Sequence, residues 1–208
     1  MDDLGWAFYD KYGESGVWWD THWLGCNVCK CPLDLWIYQE ILHRTRPDVI
    51  IETGTFYSGS AFYLASLCDL LGNGRVVTID VEDWGTRREH PRILYLDGSS
   101  TAPEVVDRVK AETTDAESVM VILDSDHHKD HVLSELEAYG PMVTEGCYLI
   151  VEDTPTGRMS GRIGDAYPGP AEAIEAFFET DRPFVVDPDC EKFLMTFNPG
   201  GYLKRVAT

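Results

Sequence analysis

Short apolar runs alternate with helical segments along most of this chain. The apolar runs lie at residues 49–51, 76–79, 93–96, 119–123 and 147–151, and most of them are separated by a segment with helical spacing. Strands that are apolar at every position are buried on both faces, as in a parallel sheet covered by helices. The sequence therefore predicts an α/β fold on a doubly wound, mostly parallel sheet.

The rest of the chain completes this architecture. Helices are predicted from residue 32 up to Arg46 and at residues 60–71, 103–111, 129–139 and 171–178. Two further runs, 183–186 and 193–197, flank a turn-like Asp-Pro-Asp and predict an antiparallel C-terminal hairpin that makes the sheet seven-stranded. Residues 1–31 are rich in aromatic side chains without sustained periodicity, which indicates an arm or lid on a main domain of residues 32–208. Residues 154–169 are predicted to form a loop over the site.

Composition excludes several classes of partner. There are 36 acidic and 17 basic residues, and the formal charge of −19 repels nucleic acid and anionic membrane surfaces alike. The chain has no apolar run of about 18 residues and no basic-then-apolar leader, so we expect a cytoplasmic protein without a membrane span. Cys26, Cys29 and Cys31 are interpreted as free thiols, because a structural zinc site needs a fourth ligand. This cluster and the aromatic arm predict a homo-oligomer.

The turn after the first predicted strand indicates a nucleotide-type ligand. It runs from Glu52 to Ser60, and its glycines let the backbone approach a ligand at the carboxyl end of a strand. Gly54 and Gly59 do not have the dinucleotide-binding spacing, and an acidic strand end favours a cationic group over phosphates. Asp80 ends the next strand, where a carboxylate accepts hydrogen bonds from ribose hydroxyls. The pattern predicts an adenosyl ligand with a cationic tail; the alternative is a glycine turn that serves packing alone.

Small polar residues follow the third predicted strand. Gly98 and Ser99 are placed to meet an adenine edge, and an ordinary helix entry capped by Ser100 or Thr101 is an equal alternative. The full set of predicted cofactor-binding residues is Glu52, Gly54, Thr55, Tyr57, Gly59, Ser60, Asp80, Gly98, Ser99 and Asp124.

Two other strand ends are densely acidic. Adjacent strands that deliver carboxylates to one edge repel each other unless a cation lies between them, and oxygen ligands select hard ions such as Mg²⁺. Asp124, Glu152 and Asp153 are the predicted metal ligands, with Asp126 as a substitute for Asp124 on the same tight turn. The alternative is a set of solvated carboxylates at helix N-termini.

Several separate motifs carry a family resemblance that covers nearly the whole chain from about Trp18. They are Lys30-Cys31-Pro32-Leu33-Asp34-Leu35-Trp36, Glu52-Thr53-Gly54-Thr55, Ile122-Leu123-Asp124-Ser125-Asp126-His127, Ile150-Val151-Glu152-Asp153-Thr154 and Asn198-Pro199-Gly200-Gly201. In this order they resemble the cephalosporin hydroxylase and rhamnosyl O-methyltransferase family. The resemblance implies a Rossmann-like class I methyltransferase fold, S-adenosylmethionine (SAM) as methyl donor, a bound magnesium ion and hydroxyl acceptors on sugars or natural-product cores.

The resemblance also implies a base. In the similar catechol-type enzymes the base lies three residues after the first metal aspartate, which corresponds to His127 after Asp124. The alternative for His127 is a helix-entry residue or a partner of the metal carboxylates. His128 and His131 are expected at the surface or on the substrate wall of the next helix.

Two other functions compete with methyl transfer. A non-catalytic SAM-binding partner of a biosynthetic enzyme would bind donor without turnover, but it would not require the acidic set. A hydroxylase would need an iron site, and the crowded histidines do not form a facial triad.

Overall fold

The computed structural model describes residues 1–157 and 167–207. The helices are α1 (Asp3–Ser15), α2 (Pro32–Thr45), α3 (Gly59–Leu71), α4 (Pro103–Thr113), α5 (Lys129–Tyr139) and α6 (Pro170–Phe177). The strands are β1 (His22–Trp23), β2 (Cys26–Asn27), β3 (Val49–Thr53), β4 (Arg75–Asp80), β5 (Ile93–Asp97), β6 (Val119–Leu123), β7 (Tyr148–Val151), β8 (Phe184–Val186) and β9 (Tyr202–Arg205).

The main sheet has seven strands in the order β5-β4-β3-β6-β7-β9-β8. Neighbours from β5 to β7 pair in parallel, and β9 pairs antiparallel with both β7 and β8. The predicted α/β class, the parallel sheet and its antiparallel C-terminal strands are confirmed. Because β3 lies between β4 and β6, the chain order reverses at its carboxyl end, which is where open α/β sheets bind ligands.

Successive side chains of the central strands point to opposite faces of the sheet, and helices cover both faces. Every residue of β3 and β6 is buried. Val49 and Ile51 belong to the apolar core on one face, together with Leu136 of α5. Ile50 points to the other face and packs in the core that contains Leu64 of α3. The helices therefore leave the strands no polar face, and they fix where the strand ends emerge.

The predicted strand at residues 193–197 is wrong, and the partner of β8 is β9. Leu194 has a left-handed backbone conformation with φ of 69°, which interrupts an extended segment. The Thr196 hydroxyl and the Phe197 N–H donate to the buried carboxylate of Asp34 in α2. The buried apolar residues of this segment pack against helices. Its polar groups hydrogen-bond to the Asp34 side chain, whereas those of a strand would hydrogen-bond to the backbone of a neighbouring strand.

Helix α1 is not predicted from the sequence. The Asp2 carboxylate caps it by accepting the Gly5 N–H at 2.9 Å, and Gly16 ends it with φ of 68°. Its apolar residues form no single buried stripe, since Leu4 is 69% and Phe8 48% exposed. The helix therefore lacks the periodic signal from which helices are inferred. The division of the chain at residue 31 into arm and main domain stays a prediction.

In the part of the chain that the structure describes, none of the helices is both long enough and apolar enough to cross a bilayer. Of the predicted loop at residues 154–169, residues 158–166 lie outside the described residues.

Candidate active site

A cavity of about 670 Å³ opens at the carboxyl ends of β3, β4 and β6. Residues from all three strand ends line it, among them Gly54, Asp80 and Asp124. The arm closes one side with Trp18, Trp19 and Cys29, and the remaining wall comes from Gly98, Ser99, Ser100, Ser125, His127, His131, Asp153 and their neighbours. The volume suits a drug-sized ligand at the position that the fold favours.

The glycines of the turn after β3 have a packing reason. A methyl group on Gly54 would lie 1.9 Å from the carbonyl oxygen of Asp124, and one on Gly59 would lie 1.8 Å from that of Asn27. Gly54 also has φ of 86°, which other residues rarely adopt. Gly54 lets the turn approach the end of β6, and Gly59 lets α3 approach the arm. Backbone packing therefore requires both glycines, and Gly54 lines the cavity as well.

The structure separates the predicted cofactor-binding residues into two groups. Those that line the cavity are Gly54, Asp80, Gly98, Ser99 and Asp124. Those outside its lining are Glu52, Thr55, Tyr57, Gly59 and Ser60. The second group supports the turn from behind: the Thr55 hydroxyl is paired with that of Thr78 at 2.7 Å, and Tyr57 packs on Phe56 with ring centroids 3.9 Å apart.

Asp80 is held rigidly at the cavity edge. One of its carboxylate oxygens accepts the Phe56 N–H at 2.8 Å, and the other accepts the Glu82 N–H at 3.0 Å. These bonds fix the side chain, and each oxygen retains lone pairs for a further donor. Asp80 is therefore preorganised to accept hydrogen bonds from a ligand in the cavity.

Asp124, His127 and Asp153 form a group with metal-ligand spacing. One ligand atom from each lies within 4.8 Å of the others, and the Nε2 of His127 is 3.6 Å from an oxygen of Asp153. Burial raises the pKa of Asp153; the His127 ring opposes this rise and the charge of Asp124 adds to it. The group thus carries negative charge that a cation would compensate.

Glu152 has a partner that the sequence analysis missed. Its Oε1 accepts the ammonium of Lys30 at 2.6 Å, and the same ammonium donates to Asp124 Oδ2 at 2.5 Å. Lys30 is 4% exposed. Burial by itself lowers the pKa of Lys30, but these carboxylates and Glu52 raise it overall, so the side chain is charged. A buried ammonium therefore joins two of the three predicted metal ligands.

Glu52 lies fully buried behind this pair. The Thr78 hydroxyl donates to its Oε2 at 2.6 Å, whereas its Oε1 has no hydrogen-bond partner among the described residues. Burial raises the pKa of Glu52, and the charge of Lys30 opposes the rise. The predicted role of Glu52 at the cationic tail of a ligand stays a prediction.

The other histidines and Asp126 have local partners. Asp126 accepts both the backbone N–H of His128 at 2.7 Å and its ring nitrogen at 2.6 Å. His131 lines the cavity, and its Nε2 lies 3.1 Å from the Ser100 hydroxyl and 3.5 Å from the buried Glu135. In the described parts of the chain, the group with metal spacing contains Asp124 and Asp153 and excludes both Asp126 and the predicted ligand Glu152.

Aromatic side chains form the outer wall. Trp18 and Trp19 stack with ring centroids 4.2 Å apart, and Phe56 packs 5.1 Å from Trp84. All four line the cavity, whereas Trp23 packs on Tyr63 of α3. All six cysteines are free thiols, and Cys29 lies at the cavity.

Sequence reasoning missed the roles of Lys30, Phe56 and Trp84, whereas the cavity position of His131 agrees with the substrate-wall alternative given for it. A signal for Lys30 existed, because it is a single basic residue immediately before the apolar helix start Cys31-Pro32-Leu33. Its partners Asp124 and Glu152 are distant in sequence, so only the fold identifies them.

Known proteins that are similar in sequence point to one family. A family model described as rhamnosyl O-methyltransferase/CmcI matches residues 15–206. The rhamnosyl O-methyltransferase of Mycobacterium bovis (strain BCG / Pasteur 1173P2) is 36% identical over 213 residues, which covers 98% of this chain and 86% of that protein. The rhamnosyl O-methyltransferase of Mycobacterium leprae (strain TN) is 33% identical over 216 residues, with 98% and 91% covered.

Solved structures share the fold at lower identity. A structure of CmcI with Mg and SAM superposes with a TM-score of 0.68 at 21% identity, covering 90% of this chain and 77% of that one. The methyltransferase MycE, in complex with Mg, SAH and mycinamycin VI, gives a TM-score of 0.52 at 18% identity, with 86% and 53% covered. The fold is that of class I methyltransferases, and the chain belongs to the rhamnosyl O-methyltransferase/CmcI family.

Proposed function

We propose that the chain is a SAM-dependent, Mg²⁺-assisted O-methyltransferase that acts on a hydroxyl of a small molecule, either a sugar or a natural-product scaffold. The observation that carries the proposal is the double position of Asp124. It lines the cavity at the strand ends, and it belongs to the group with metal-ligand spacing. A methyl donor bound in the cavity and a metal ion bound by the group of Asp124, His127 and Asp153 would therefore be neighbours. The family and the named O-methyltransferase relatives support the same activity.

The donor half of the cavity is the half between β4 and β5. Asp80 would accept hydrogen bonds from the ribose hydroxyls there, and Gly98 and Ser99, which line the same cavity, would hold the adenine. When bound, SAM would supply a methyl group that passes to the acceptor oxygen as its C–S bond breaks and the neutral thioether leaves. This chain's contribution is to orient the donor, because positioning of the reacting atoms is the main requirement of such a transfer.

The donor set of the acidic group fits Mg²⁺. Carboxylate oxygens are the ligands that this ion prefers. Burial raises the pKa of Asp153 and the charge of Asp124 adds to the rise, so a bound cation would favour the charged form of this carboxylate. Asp124 and Asp153, the two carboxylates of the group with metal-ligand spacing, would hold the ion together with Glu152, which lies outside that group and pairs with Lys30. When bound, it supplies a Lewis acid that lowers the pKa of an acceptor hydroxyl.

His127 takes the proton from the acceptor hydroxyl. Its ring lines the cavity, and the nearby Asp153 carboxylate orients it. Neutral imidazole suits proton removal near neutral pH. The aromatic wall of Trp18, Trp19 and Trp84 offers flat faces for a sugar or polyketide ring of the acceptor.

The test is a methyl-transfer assay that follows conversion of SAM to its demethylated product with a panel of rhamnose-bearing glycosides and macrolide-type alcohols. We expect turnover of at least one acceptor with Mg²⁺, loss of turnover in excess EDTA, and SAM binding by calorimetry in both conditions. Glu137→Gln, at an ion pair with Arg182 whose two residues do not line the cavity, is the matched control and should keep full turnover. Undiminished turnover in EDTA would overturn the metal role, and the absence of SAM binding would overturn the activity itself.

The homo-oligomer and the cytoplasmic location remain predictions from the sequence. A small-molecule acceptor agrees with the name of the relatives, rhamnosyl O-methyltransferase, since rhamnose is a sugar.

A further inference from the structure

Lys30 is the basic group at the centre of the acidic strand ends. Its ammonium bridges carboxylates that come from β6 and β7, at 2.5 Å from Asp124 and 2.6 Å from Glu152. A side chain that is only 4% exposed loses most of its hydration, so these two contacts must replace it. Such a bridge between neighbouring strands fixes the relative position of both carboxylates.

The arm holds Lys30 in this place. The Lys30 N–H donates to the Thr21 hydroxyl at 3.2 Å, and that hydroxyl lies within hydrogen-bond distance of the carbonyl oxygens of Trp18 at 2.9 Å and Lys30 at 3.1 Å. Immediately before Lys30, the chain lies against α3 so closely that a methyl group on Gly59 would collide with Asn27. The side chain of Lys30 therefore reaches the carboxylates from a segment that is held at Lys30 itself and at Asn27.

The single positive charge of Lys30 does not balance the negative charge of the carboxylates around it. Asp153 and the buried Glu52 lie close enough to Lys30 to interact with it electrostatically, in addition to the two carboxylates that it contacts. One ammonium thus faces several carboxylates. A divalent ion bound at the same carboxylates would complete the compensation, but it would also be repelled by the ammonium.

We propose that Lys30 is a positioning residue that acts as a built-in counter-cation of the metal site: it holds Asp124 and Glu152 in place before a divalent ion binds, and it weakens the binding of that ion. The inference rests on the metal role proposed above. It follows that the protein folds with its carboxylates already positioned, and that the metal is required for chemistry and not for folding.

The test is Lys30→Met, which keeps the length and apolar stem of the side chain and removes its charge. Thermal unfolding is measured in EDTA and with MgCl₂, and Mg²⁺ affinity is measured by calorimetry. We expect Lys30→Met to melt below the wild type in EDTA, to regain most of the difference with Mg²⁺, and to bind Mg²⁺ roughly tenfold more tightly. Lys192→Met removes the charge of an exposed lysine paired with Glu40, and it should change neither value.

A second variant covers the case in which Lys30→Met does not fold in EDTA. Lys30→Met/Glu152→Gln also removes one carboxylate of the bridge, so it should melt above the single variant in EDTA. Equal Mg²⁺ affinity in wild type and Lys30→Met, or failure of both variants to fold even with Mg²⁺, would overturn the inference. If the wild type binds no Mg²⁺, the proposed metal role fails as well. The two failures are distinguishable, because a failure of the Lys30 inference alone leaves Mg²⁺ binding by the wild type intact.

Discussion

The carboxylate of Asp34 should be one of the most costly side chains to remove. Asp34 lies in the first turn of α2 and is 1% exposed. Its Oδ2 accepts the Phe197 N–H at 2.9 Å, and its Oδ1 accepts the Tyr202 hydroxyl at 2.8 Å and the Thr196 hydroxyl. It therefore ties the C-terminal segment and β9 to the helix that precedes β3. Asp34→Ala leaves three buried donors without this acceptor.

The magnitude follows from the burial of these donors. Each buried donor left without a partner costs about 1–3 kcal/mol. The desolvation of the carboxylate, which raises the pKa of Asp34, offsets part of this loss. We expect Asp34→Ala to lower the free energy of unfolding by about 4 kcal/mol. For a chain of this size that corresponds to a fall in Tm of roughly 10 °C.

Asp34→Asn is the informative partner variant. Its amide oxygen can still accept the Phe197 N–H, and its NH₂ can donate to the two hydroxyls, which rotate to accept. The expected loss is about 1–2 kcal/mol. Asp107→Ala, at a side chain that is 76% exposed on α4, is the control and should change stability by less than about 0.5 kcal/mol.

Urea unfolding followed by tryptophan fluorescence measures these differences, with the m value as a check that the unfolded state is unchanged. Asn198, directly after the anchored segment, accepts the Asp153 N–H at 3.0 Å. Folded Asp34→Ala should therefore also bind Mg²⁺ more weakly than wild type. A loss below about 1 kcal/mol for Asp34→Ala would refute the reasoning, because the three donors would then find other partners.

Three further changes test the site. Gly59→Ala should displace the arm, because its methyl group would overlap the Asn27 carbonyl, and we expect a loss of about 2 kcal/mol or more in urea unfolding together with weaker Mg²⁺ binding. Asp80→Ala should weaken SAM binding roughly tenfold in calorimetry, since charge-assisted hydrogen bonds are lost; unchanged affinity would remove this residue from the donor site. Asp124→Asn should abolish Mg²⁺ binding and turnover, whereas Asp126→Asn, whose carboxylate pairs with its own turn, should retain both; the reverse order would exchange their roles.

Much of the architecture could be predicted from local pattern. The predicted segments at residues 119–123 and 129–139 coincide with β6 and α5, because each has a periodicity that burial on the sheet requires. Strand β9 could not be predicted this way. It has only two buried apolar residues, Tyr202 and Leu203, followed by Lys204 and Arg205, and it is a strand because it pairs with β7 and β8.

The site shows the same division. Placement of acidic residues directly after apolar strands is a local property, so the convergence of Asp124 and Asp153 could be expected from parallel strands ending at one edge of the sheet. The packing role of Gly59 could not be expected. Its contact with Asn27 joins two segments whose approach depends on how α3 and the arm meet.

The fold class, the family and the edge of the sheet that carries the site could all be inferred from short segments, because hydrophobic periodicity and strand-end residues are local properties of the chain. Which charges meet is visible only in the folded molecule. Lys30, Asp124 and Glu152 lie far apart along the chain, and their ion pairs exist because the arm, β6 and β7 converge at one buried place. Electrostatic interactions depend on distance and burial in three dimensions, and neither quantity can be read from the spacing of residues.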